Sequence, residues 1–209
     1  MSKQRCFFVT GIGTGIGKTF ISAILTEAWK ADYWKPVQCG SLEDSDSHFV
    51  KRMISNSTSS IHPEVFRLRE PMSPHAAAKA EGVKIHLKDF HLPETKRTLV
   101  IEGAGGILVP LNDNKLVIDL IKKLDVEVII VIRNYLGSIN HSLLTIEAAK
   151  KRKLKIAGII FNGDPVSSSE EIILKRSKLP VIGRVTQEPF VDPSIVSKYA
   201  TLFQSMAGR

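Results

Sequence analysis

The sequence contains few cysteines and no long apolar run. Its two cysteines, Cys6 and Cys39, have no zinc-ligand spacing and are too few for a disulfide framework, so we expect a reducing compartment. The longest apolar stretch, 126–132, is interrupted by Glu127 and is far shorter than the ~20 residues that a membrane span needs. The apolar run near the start is too short for a secretion signal. We therefore expect a cytoplasmic chain with no membrane partner.

Aromatic residues are also scarce, at 7% of the chain. This scarcity affects how its formal charge of +8 is interpreted, because a basic chain could bind a polyanion. The densest basic run, KKRKLK at 150–155, closes a helical pattern, where cations favour the negative end of the helix dipole. It lacks the interleaved aromatic residues that are typical of a nucleic-acid platform. No nucleic-acid partner is predicted, because a small phosphorylated ligand needs less positive charge.

Short apolar segments alternate with longer amphipathic ones along the chain. Strands are predicted at 5–10, 98–102, 126–132, 155–161 and 180–183, with a weaker one at 32–35, and helices at 17–30, 45–55, 115–124, 138–152, 168–178 and 193–206. Apolar strands that are each followed by a helix indicate a mostly parallel sheet with helices on both faces. The segment 56–97 carries four prolines and is predicted to be an extended connection. The fold class is α/β, in a single domain over 1–209.

A glycine-rich loop, VTGIGTGIGKTF at 9–20, follows the first strand and opens the first helix. Its glycines let successive backbone N–H groups converge on phosphate oxygens, and the helix adds its positive end. Lys18 is placed to reach the terminal phosphates, and the Thr19 hydroxyl to bind a magnesium ion. Five residues separate Gly11 from Gly17, one more than in the usual phosphate loop. The sequence therefore predicts a P-loop NTPase-like fold that binds a nucleoside triphosphate.

Three other charged residues are candidates for the same site. Glu102 comes at the end of an apolar strand and precedes GAGG, which leaves room for a ligand beside a carboxylate suited to Mg²⁺. Lys35 follows a short strand and is held by Pro36, so it is placed to enter a cleft, although most lysines are simply solvated. Asp46 follows Asp44 and Ser45 in the chain, and capping of the next helix is the competing interpretation for it.

Several motifs agree in order and spacing with one family. They are FFVTGIGTGIGKT, YWKPVQCG, EDSDSHF, EPMSPHAAAKAEG, VIEGAGGILVPL, NYLGSINHSLLTIEA and GIIFN, which together span residues 7–162. Through these motifs the sequence resembles the dethiobiotin synthetases. The resemblance implies a homodimeric ligase of biotin biosynthesis that uses ATP and Mg²⁺. Its substrates would be 7,8-diaminononanoate and carbon dioxide or bicarbonate, joined through a carbamate and a carbamic–phosphoric anhydride, with release of ADP and phosphate.

The resemblance also implies roles for individual residues. The catalytic residues would be the lysines that balance charge on the γ-phosphate and the carbamate, Lys18 and Lys35. The magnesium ligands would be Thr19, Asp46 and Glu102. The implied ATP-binding residues are Gly13, Thr14, Gly15, Ile16, Gly17, Lys18, Thr19, Phe20, Asp46, Glu102, Gly103, Ala104, Gly105 and Asn162, the last matching an asparagine that recognises adenine. The implied substrate-binding residues are Thr14, Lys35 and Cys39, with Gly137, Ser138, Ile139 and Asn140 contributed by the partner chain.

The sequence departs from the family pattern in three places. Ile12 and Gly13 stand where threonine and aspartate are common, Cys39 stands where serine or threonine is usual, and GRVTQEP at 183–189 replaces a Gly-x-Ile-Pro pattern. Other interpretations stay open at this point. A partitioning-type ATPase would carry a second loop lysine where this chain has Ile12, and a cobyrinate-type amide synthetase would normally carry a glutaminase domain. A binding protein without catalysis is the third, and Cys39 is the argument for it.

Overall fold

The computed structural model describes residues 4–204. Its strands are β1 Cys6–Gly11, β2 Asp32–Trp34, β3 Val37–Cys39, β4 Ile61–His62, β5 Phe66–Leu68, β6 Leu99–Gly106, β7 Glu127–Arg133, β8 Ile156–Asn162 and β9 Val181–Val185. Its helices are α1 Lys18–Trp29, α2 Asp46–Met53, α3 Pro74–Ala80, α4 Val117–Leu124, α5 Ser138–Lys151, α6 Ser167–Ser177 and α7 Pro193–Phe203. Single 3₁₀ turns cover Leu42–Asp44 and Leu87–Asp89.

Seven strands form one parallel sheet in the order β4-β2-β6-β1-β7-β8-β9. β1 is buried along its whole length and β7 along all but its end residues, so both faces of the sheet are covered. Helix α1 packs against α2 and α7, and α5 packs against α6. The predicted α/β class with a mostly parallel sheet is confirmed.

The strand order places the functional edge of the sheet. From β1 the chain continues to β2 on one side, returns to β6 beside β1, and then builds β7, β8 and β9 on the other side. Ligand sites of such sheets lie at the carboxyl ends of the strands, where the order changes direction. The loops after β1, β2, β6 and β8 therefore meet around the carboxyl end of β1.

The segment 56–97 corrects the prediction of an extended connection. It contains β4, β5, α3 and a 3₁₀ turn, and β5 pairs with the equally unpredicted β3 in a separate two-stranded parallel sheet. Pro74 is the first residue of α3, a position where proline costs no hydrogen bond, so a residue that suggested irregular structure in fact begins a helix. The predicted end of the last helix, 205–206, lies outside the described residues.

The basic run at 150–155 ends α5 and is tied to its surroundings. Arg152 pairs with Asp119 at 2.7 Å and Lys155 with Asp125 at 2.8 Å. Exposed pairs of this kind contribute little stability, but they give the run a local structural role. Within residues 4–204, no helix combines the length and the apolar character that a membrane crossing requires.

Candidate active site

The loop between β1 and α1 depends on glycine at two points. Gly15 and Gly17 have φ angles of 72° and 88°, in the left-handed region where other residues are strained. Asn162, at the end of β8, donates from Nδ2 to the Ile16 carbonyl at 2.7 Å. A Cβ on Gly17 would lie 2.1 Å from that nitrogen. Asn162 therefore supports the loop from the side, and only glycine leaves room for it.

Lys18, the first residue of α1, folds back onto the loop. Its Nζ donates to the Gly13 carbonyl at 2.9 Å. Burial lowers the pKa of Lys18 to about 8; Lys35 also lowers it, whereas Glu102 and Asp46 raise it. A triphosphate held by the loop would bring negative charge next to this amine and favour its charged form.

Four polar side chains from different parts of the chain meet beside the loop. Lys35 Nζ lies 2.9 Å from Glu102 Oε1 and 2.5 Å from Asp46 Oδ2. Thr19 Oγ1 lies 2.9 Å from Glu102 Oε1 and 3.0 Å from Asp46 Oδ1. The side chains of Lys35 and Glu102 are 6% and 1% exposed, whereas that of Asp46 is 31% exposed. This cluster is therefore buried on the sheet side and opens to solvent at Asp46.

The capping interpretation of Asp46 is answered by its neighbour. Ser45 is the N-cap of α2, and its side chain accepts a hydrogen bond from His48 N. Asp46 is the first helical residue, and its carboxylate points to Thr19 and Lys35 instead. Ser45 is therefore the helix cap and Asp46 the residue of the cluster, although serine and aspartate are both good caps.

Each charged group of the cluster is kept in its ionised form by its neighbours. Burial acts against the charged form of Lys35, but Glu102 and Asp46 together raise its pKa above the usual value. Burial likewise acts against the charged form of Asp46, but Lys35 and the hydrogen bond from Thr19 lower its pKa. Both groups are therefore ionised at neutral pH, and each depends on its partners to remain so.

Tyr33 holds the second oxygen of Glu102 and was missed by sequence analysis. Its hydroxyl donates to Glu102 Oε2 at 2.9 Å, and the side chain is fully buried. Burial, together with the negative charge of Glu102, keeps the pKa of Tyr33 well above its usual value, so the hydroxyl remains a donor. Tyr33 and Lys35 are two residues apart in extended chain and so lie on one side of it, which was the signal available in the sequence.

The cluster lines a cleft of about 700 Å³. The predicted residues that the cleft brings together are Thr14, Gly15, Gly17, Lys18, Thr19, Lys35, Cys39, Asp46, Glu102, Ala104 and Gly105. Its other side is formed by the segment 71–74, which leads into α3 and which sequence analysis did not assign to the site. Burial raises the pKa of the Cys39 thiol to about 11, against a lowering effect of Lys35 and with a further raising effect of Glu81. Cys39 therefore faces the cleft as a neutral thiol.

A smaller cavity of about 180 Å³ lies at the ends of β7, β8 and β9, on the opposite side of β1 from β6. The predicted residues Phe20 and Asn162 line it. Thr186, Gln187 and Glu188 also line it, and they lie in GRVTQEP, a segment in which the sequence departs from the family pattern. The remaining lining residues, Arg133, Gly163 and Val191, were not predicted. The phosphate loop is therefore flanked by a large charged cleft and a small cavity.

Some predicted residues lie apart from the cleft. Ile16 is buried, and a Cβ on Gly103 would lie 2.6 Å from Phe8 Cε1. Both contact site residues through their carbonyls: that of Ile16 accepts from Asn162 Nδ2 at 2.7 Å, and that of Gly103 accepts from Lys35 Nζ at 3.4 Å. Gly137–Asn140 begins α5 and lines neither cavity. Leu136, just before it, is fully exposed.

Thr19, Asp46 and Glu102 form a donor set that fits a hard divalent cation. One hydroxyl lies within 3.0 Å of two carboxylates, so three oxygens converge at the mouth of the phosphate loop. Mg²⁺ is commonly held by one or two carboxylates, with water and substrate phosphates completing its shell. Across residues 4–204, no group of three or more His, Cys, Asp and Glu residues could hold a metal by itself.

Solved structures with a similar fold include proteins of cell division and plasmid partition. The septum site-determining protein MinD of Pyrococcus horikoshii, complexed with Mg-ADP, matches 98% of this chain and 95% of its own, with a TM-score of 0.59 and 15% identity. A putative plasmid partition protein of Borrelia burgdorferi, bound to AMPPNP, matches 99% of this chain and 100% of its own, with a TM-score of 0.59 and 14% identity. At these identities the likeness supports the P-loop NTPase-like fold alone.

Sequence similarity is far more specific. Residues 5–194 match the family described as an AAA domain. The ATP-dependent dethiobiotin synthetase BioD of Christiangramia forsetii is 52% identical over 96% of each chain. The protein of the same name from Cytophaga hutchinsonii is 50% identical over 94% of this chain and 96% of its own. The order of motifs along residues 7–162, the charged cleft and these relatives agree, and the chain belongs to the family of ATP-dependent dethiobiotin synthetases.

Proposed function

We propose that this protein closes the ureido ring of dethiobiotin from 7,8-diaminononanoate, carbon dioxide and ATP. The observation that carries the proposal is the buried cluster of Thr19, Lys35, Asp46 and Glu102 beside the phosphate loop, in a chain half identical to synthetases of that name. The reaction uses ATP, which favours the cytoplasm as its location.

The proposed chemistry has three steps. One amine of the diamine adds to carbon dioxide and loses a proton, which gives a carbamate. A carbamate oxygen then attacks the γ-phosphorus of ATP. This forms a mixed carbamic–phosphoric anhydride and releases ADP. Finally the second amine attacks the carbamate carbon, loses a proton and expels phosphate, which closes the ring.

The main task of the site is to bring two anions together. A carbamate and a triphosphate repel each other, so positive charge must lie between them before the phosphoryl group is transferred. We assign this role to Lys18 and Lys35, which lie on the loop side and the sheet side of one cleft. Thr14, on the loop, and Cys39, at the end of β3, are assigned to the diamine and carbamate because they line the same cleft.

Thr19, Asp46 and Glu102 would hold Mg²⁺ in this proposal. Bound there, the ion would neutralise charge on the β- and γ-phosphates. Lys35 pairs with both carboxylates, so it would have to share them with the ion, and its Nζ would then be available to an anion in the cleft. Tyr33 would keep Glu102 in place during that exchange, because it binds the oxygen that neither Thr19 nor Lys35 contacts.

The mechanism needs no nucleophile from the protein. The substrate carries both the oxygen that attacks phosphorus and the amine that attacks carbon. Holding that amine close to the anhydride supplies much of the acceleration through proximity. Residues 71–74 line the cleft opposite the charged cluster and would keep water from the anhydride.

We further propose a homodimer in which the start of α5 completes the partner's site. The Ser138 N–H donates to the Tyr135 carbonyl at 2.9 Å, whereas the next N–H groups of the first helical turn have no intrahelical acceptor, which suits a carboxylate such as that of the diamine. Leu136 and Tyr135, next to this turn, are 103% and 43% exposed, and such apolar exposure favours a contact between chains. Sedimentation equilibrium tests the assembly: twice the chain mass supports it, and the chain mass contradicts it.

The reaction itself is tested by mass spectrometry. The purified protein is incubated with diaminononanoate, ¹³C-bicarbonate and Mg-ATP, with each component omitted in turn. We expect dethiobiotin that carries the label and that requires all three components. Lys35→Ala should abolish the product, whereas Lys51→Ala, at an exposed lysine of α2, should leave it unchanged. ATP hydrolysis that is independent of the diamine, without product, would contradict the proposal and favour a switch ATPase.

A further inference from the structure

Arg133 crosses the mouth of the small cavity on the far side of the phosphate loop. It is the last residue of β7, and its Nη2 donates to Gln187 Oε1 at 3.0 Å. Its aliphatic part passes over Gly163, where a Cβ would lie 3.4 Å from Arg133 Cγ and 3.5 Å from Nε. The side chain thus runs from β7 across the end of β8 to the loop after β9, and glycine at 163 gives it room.

The residues before and after Gln187 in the chain are both held by one tyrosine, Tyr199. The Thr186 hydroxyl and the Tyr199 hydroxyl are 2.6 Å apart, and Tyr199 donates to Glu188 Oε1 at 2.6 Å. Tyr199 lies on α7 and is 4% exposed. The loop that presents Gln187 to Arg133 is therefore anchored to the helix layer, and the arginine has a fixed partner for its guanidinium.

The position of the cavity indicates what it would receive. A nucleotide with its phosphates on the glycine loop has its base one nucleoside length away, along the same edge of the sheet. On one side of the loop lies the cleft that the reacting groups need, and on the other lies this cavity, lined by Phe20 and Val191 as well as polar groups. Asn162 uses Nδ2 to bind the loop, which leaves its Oδ1 for a ligand.

We propose that Arg133, held by Gln187, stacks its guanidinium group on the face of the nucleotide base. This inference rests on the proposed function, since it concerns the ATP of that reaction. A guanidinium is planar and weakly hydrated, and it stacks well on aromatic faces and on bases. Stacking uses the face of the ring, so Arg133 provides affinity, and the choice of base is left to groups at the ring's edge such as Asn162 Oδ1.

Calorimetric titration separates this role from a general effect of charge. ATP and inorganic tripolyphosphate, each with Mg²⁺, are titrated into the wild type, Arg133→Ala, Arg133→Lys and Gln187→Ala. We expect Arg133→Ala to weaken ATP binding roughly tenfold and to leave tripolyphosphate binding within about twofold of wild type. Arg133→Lys keeps the positive charge but loses the planar guanidinium group, so its ATP affinity should fall nearly as far as that of Arg133→Ala. Gln187→Ala should lose less than either.

Two results would overturn the inference. Unchanged ATP binding by Arg133→Ala would mean that the arginine does not contact the base. An equal loss for ATP and tripolyphosphate would mean that it acts on the phosphates through its charge. The proposed function fails separately: folded wild-type protein that binds neither ATP nor tripolyphosphate would contradict it, and the inference with it. Wild-type ATP binding without an effect of Arg133→Ala contradicts the inference alone.

Discussion

The two sides of the phosphate loop are built differently. On the side of β6, Lys35, Glu102 and Asp46 form a network in which two of the three side chains are buried. On the side of β8, Arg133 and Gln187 form a single hydrogen bond at the surface. In the proposed reaction, the first arrangement would balance the charge of the reacting anions. The second would serve only to recognise part of the nucleotide.

This difference should appear in the energetics of substitution. Removing one partner from a buried ion pair leaves an uncompensated charge and typically costs about 3–5 kcal/mol. Removing one partner from an exposed pair typically costs less than about 1 kcal/mol. Changes in the network of Lys35, Glu102 and Asp46 should therefore lower both stability and turnover, whereas changes on the β8 side should lower nucleotide affinity alone.

The largest effect is expected for Glu102→Gln. The new amide group would face donors of Lys35, Thr19 and Tyr33, and Lys35 would lose a buried counter-charge. We expect a decrease of about 3 kcal/mol in the free energy of unfolding. Turnover should fall by about a thousandfold, since charge placed for the transition state is lost. Urea unfolding and the rate of dethiobiotin formation measure the two effects.

Glu171→Gln, the same change at an exposed position of α6, is the control and should leave both quantities unchanged. If Glu102→Gln unfolded at the wild-type urea concentration, the charges of the cluster would not depend on one another as described, and the contrast between the two sides of the loop would disappear.

A smaller effect is expected from the titration of Lys18, which lies between the two sides. Burial lowers its pKa from 10.5 to about 8. The unfolded chain therefore holds this proton more tightly, and Lys18 makes stability rise with pH between about 8 and 10.5. ATP affinity should change in the opposite direction, because the free protein loses the positive charge above pH 8; the decrease from pH 7 to pH 9 should be about tenfold.

Calorimetry in buffers of different ionisation enthalpy measures this directly, because ATP binding above pH 8 should take up a proton. Arginine stays charged throughout this range. Lys18→Arg should therefore show ATP affinity that is independent of pH between 7 and 9, whatever its absolute value. A pH dependence that survives in Lys18→Arg would assign the titration to another group.

The sequence predicted best what is encoded locally. The glycine loop, Lys18 and Thr19 are adjacent in the chain and lie between a strand and a helix, so their geometry follows from spacing alone. Glu102 was predicted from the glycines after it, although it lies inside β6, which continues to Gly106. The predicted end of the strand was wrong, because β6 continues through the glycines with a shift in its register against β1, and Gly105 has a φ of 66° there, which glycine adopts without strain.

The sequence could not predict what strand order brings together. Arg133 and Gln187 are 54 residues apart and meet only because β7, β8 and β9 are neighbours in the sheet. Residue types alone left the role of Asp46 open, because Ser45 is an equally good helix cap, and the family resemblance was needed to assign it to the site. The tertiary fold shows that Asp46 reaches Lys35. Segment 71–74 lines the cleft and leads into α3. The proline that begins this helix, Pro74, had favoured an irregular connection in the sequence.

The smallest effect is expected at the rim of the charged cleft, for Cys39→Ser. Burial keeps the thiol neutral, with a pKa of about 11, and a neutral thiol donates only weak hydrogen bonds. A hydroxyl at this position would donate more strongly to a carbamate. We expect the KM for diaminononanoate to fall by about threefold, which corresponds to a gain of somewhat under 1 kcal/mol, with kcat within about twofold of wild type. Steady-state kinetics at saturating ATP measures the change.

Cys39→Ala separates the hydrogen bond from the loss of sulfur. Alanine removes the thiol without adding a donor, so its KM for the diamine should equal or exceed that of the wild type. If the serine and alanine variants had the same KM, Cys39 would line the cleft without contacting the substrate. In that case the β6 side would select its substrate through Lys35 and the loop alone, and the thiol that replaces the family's hydroxyl would be a neutral substitution.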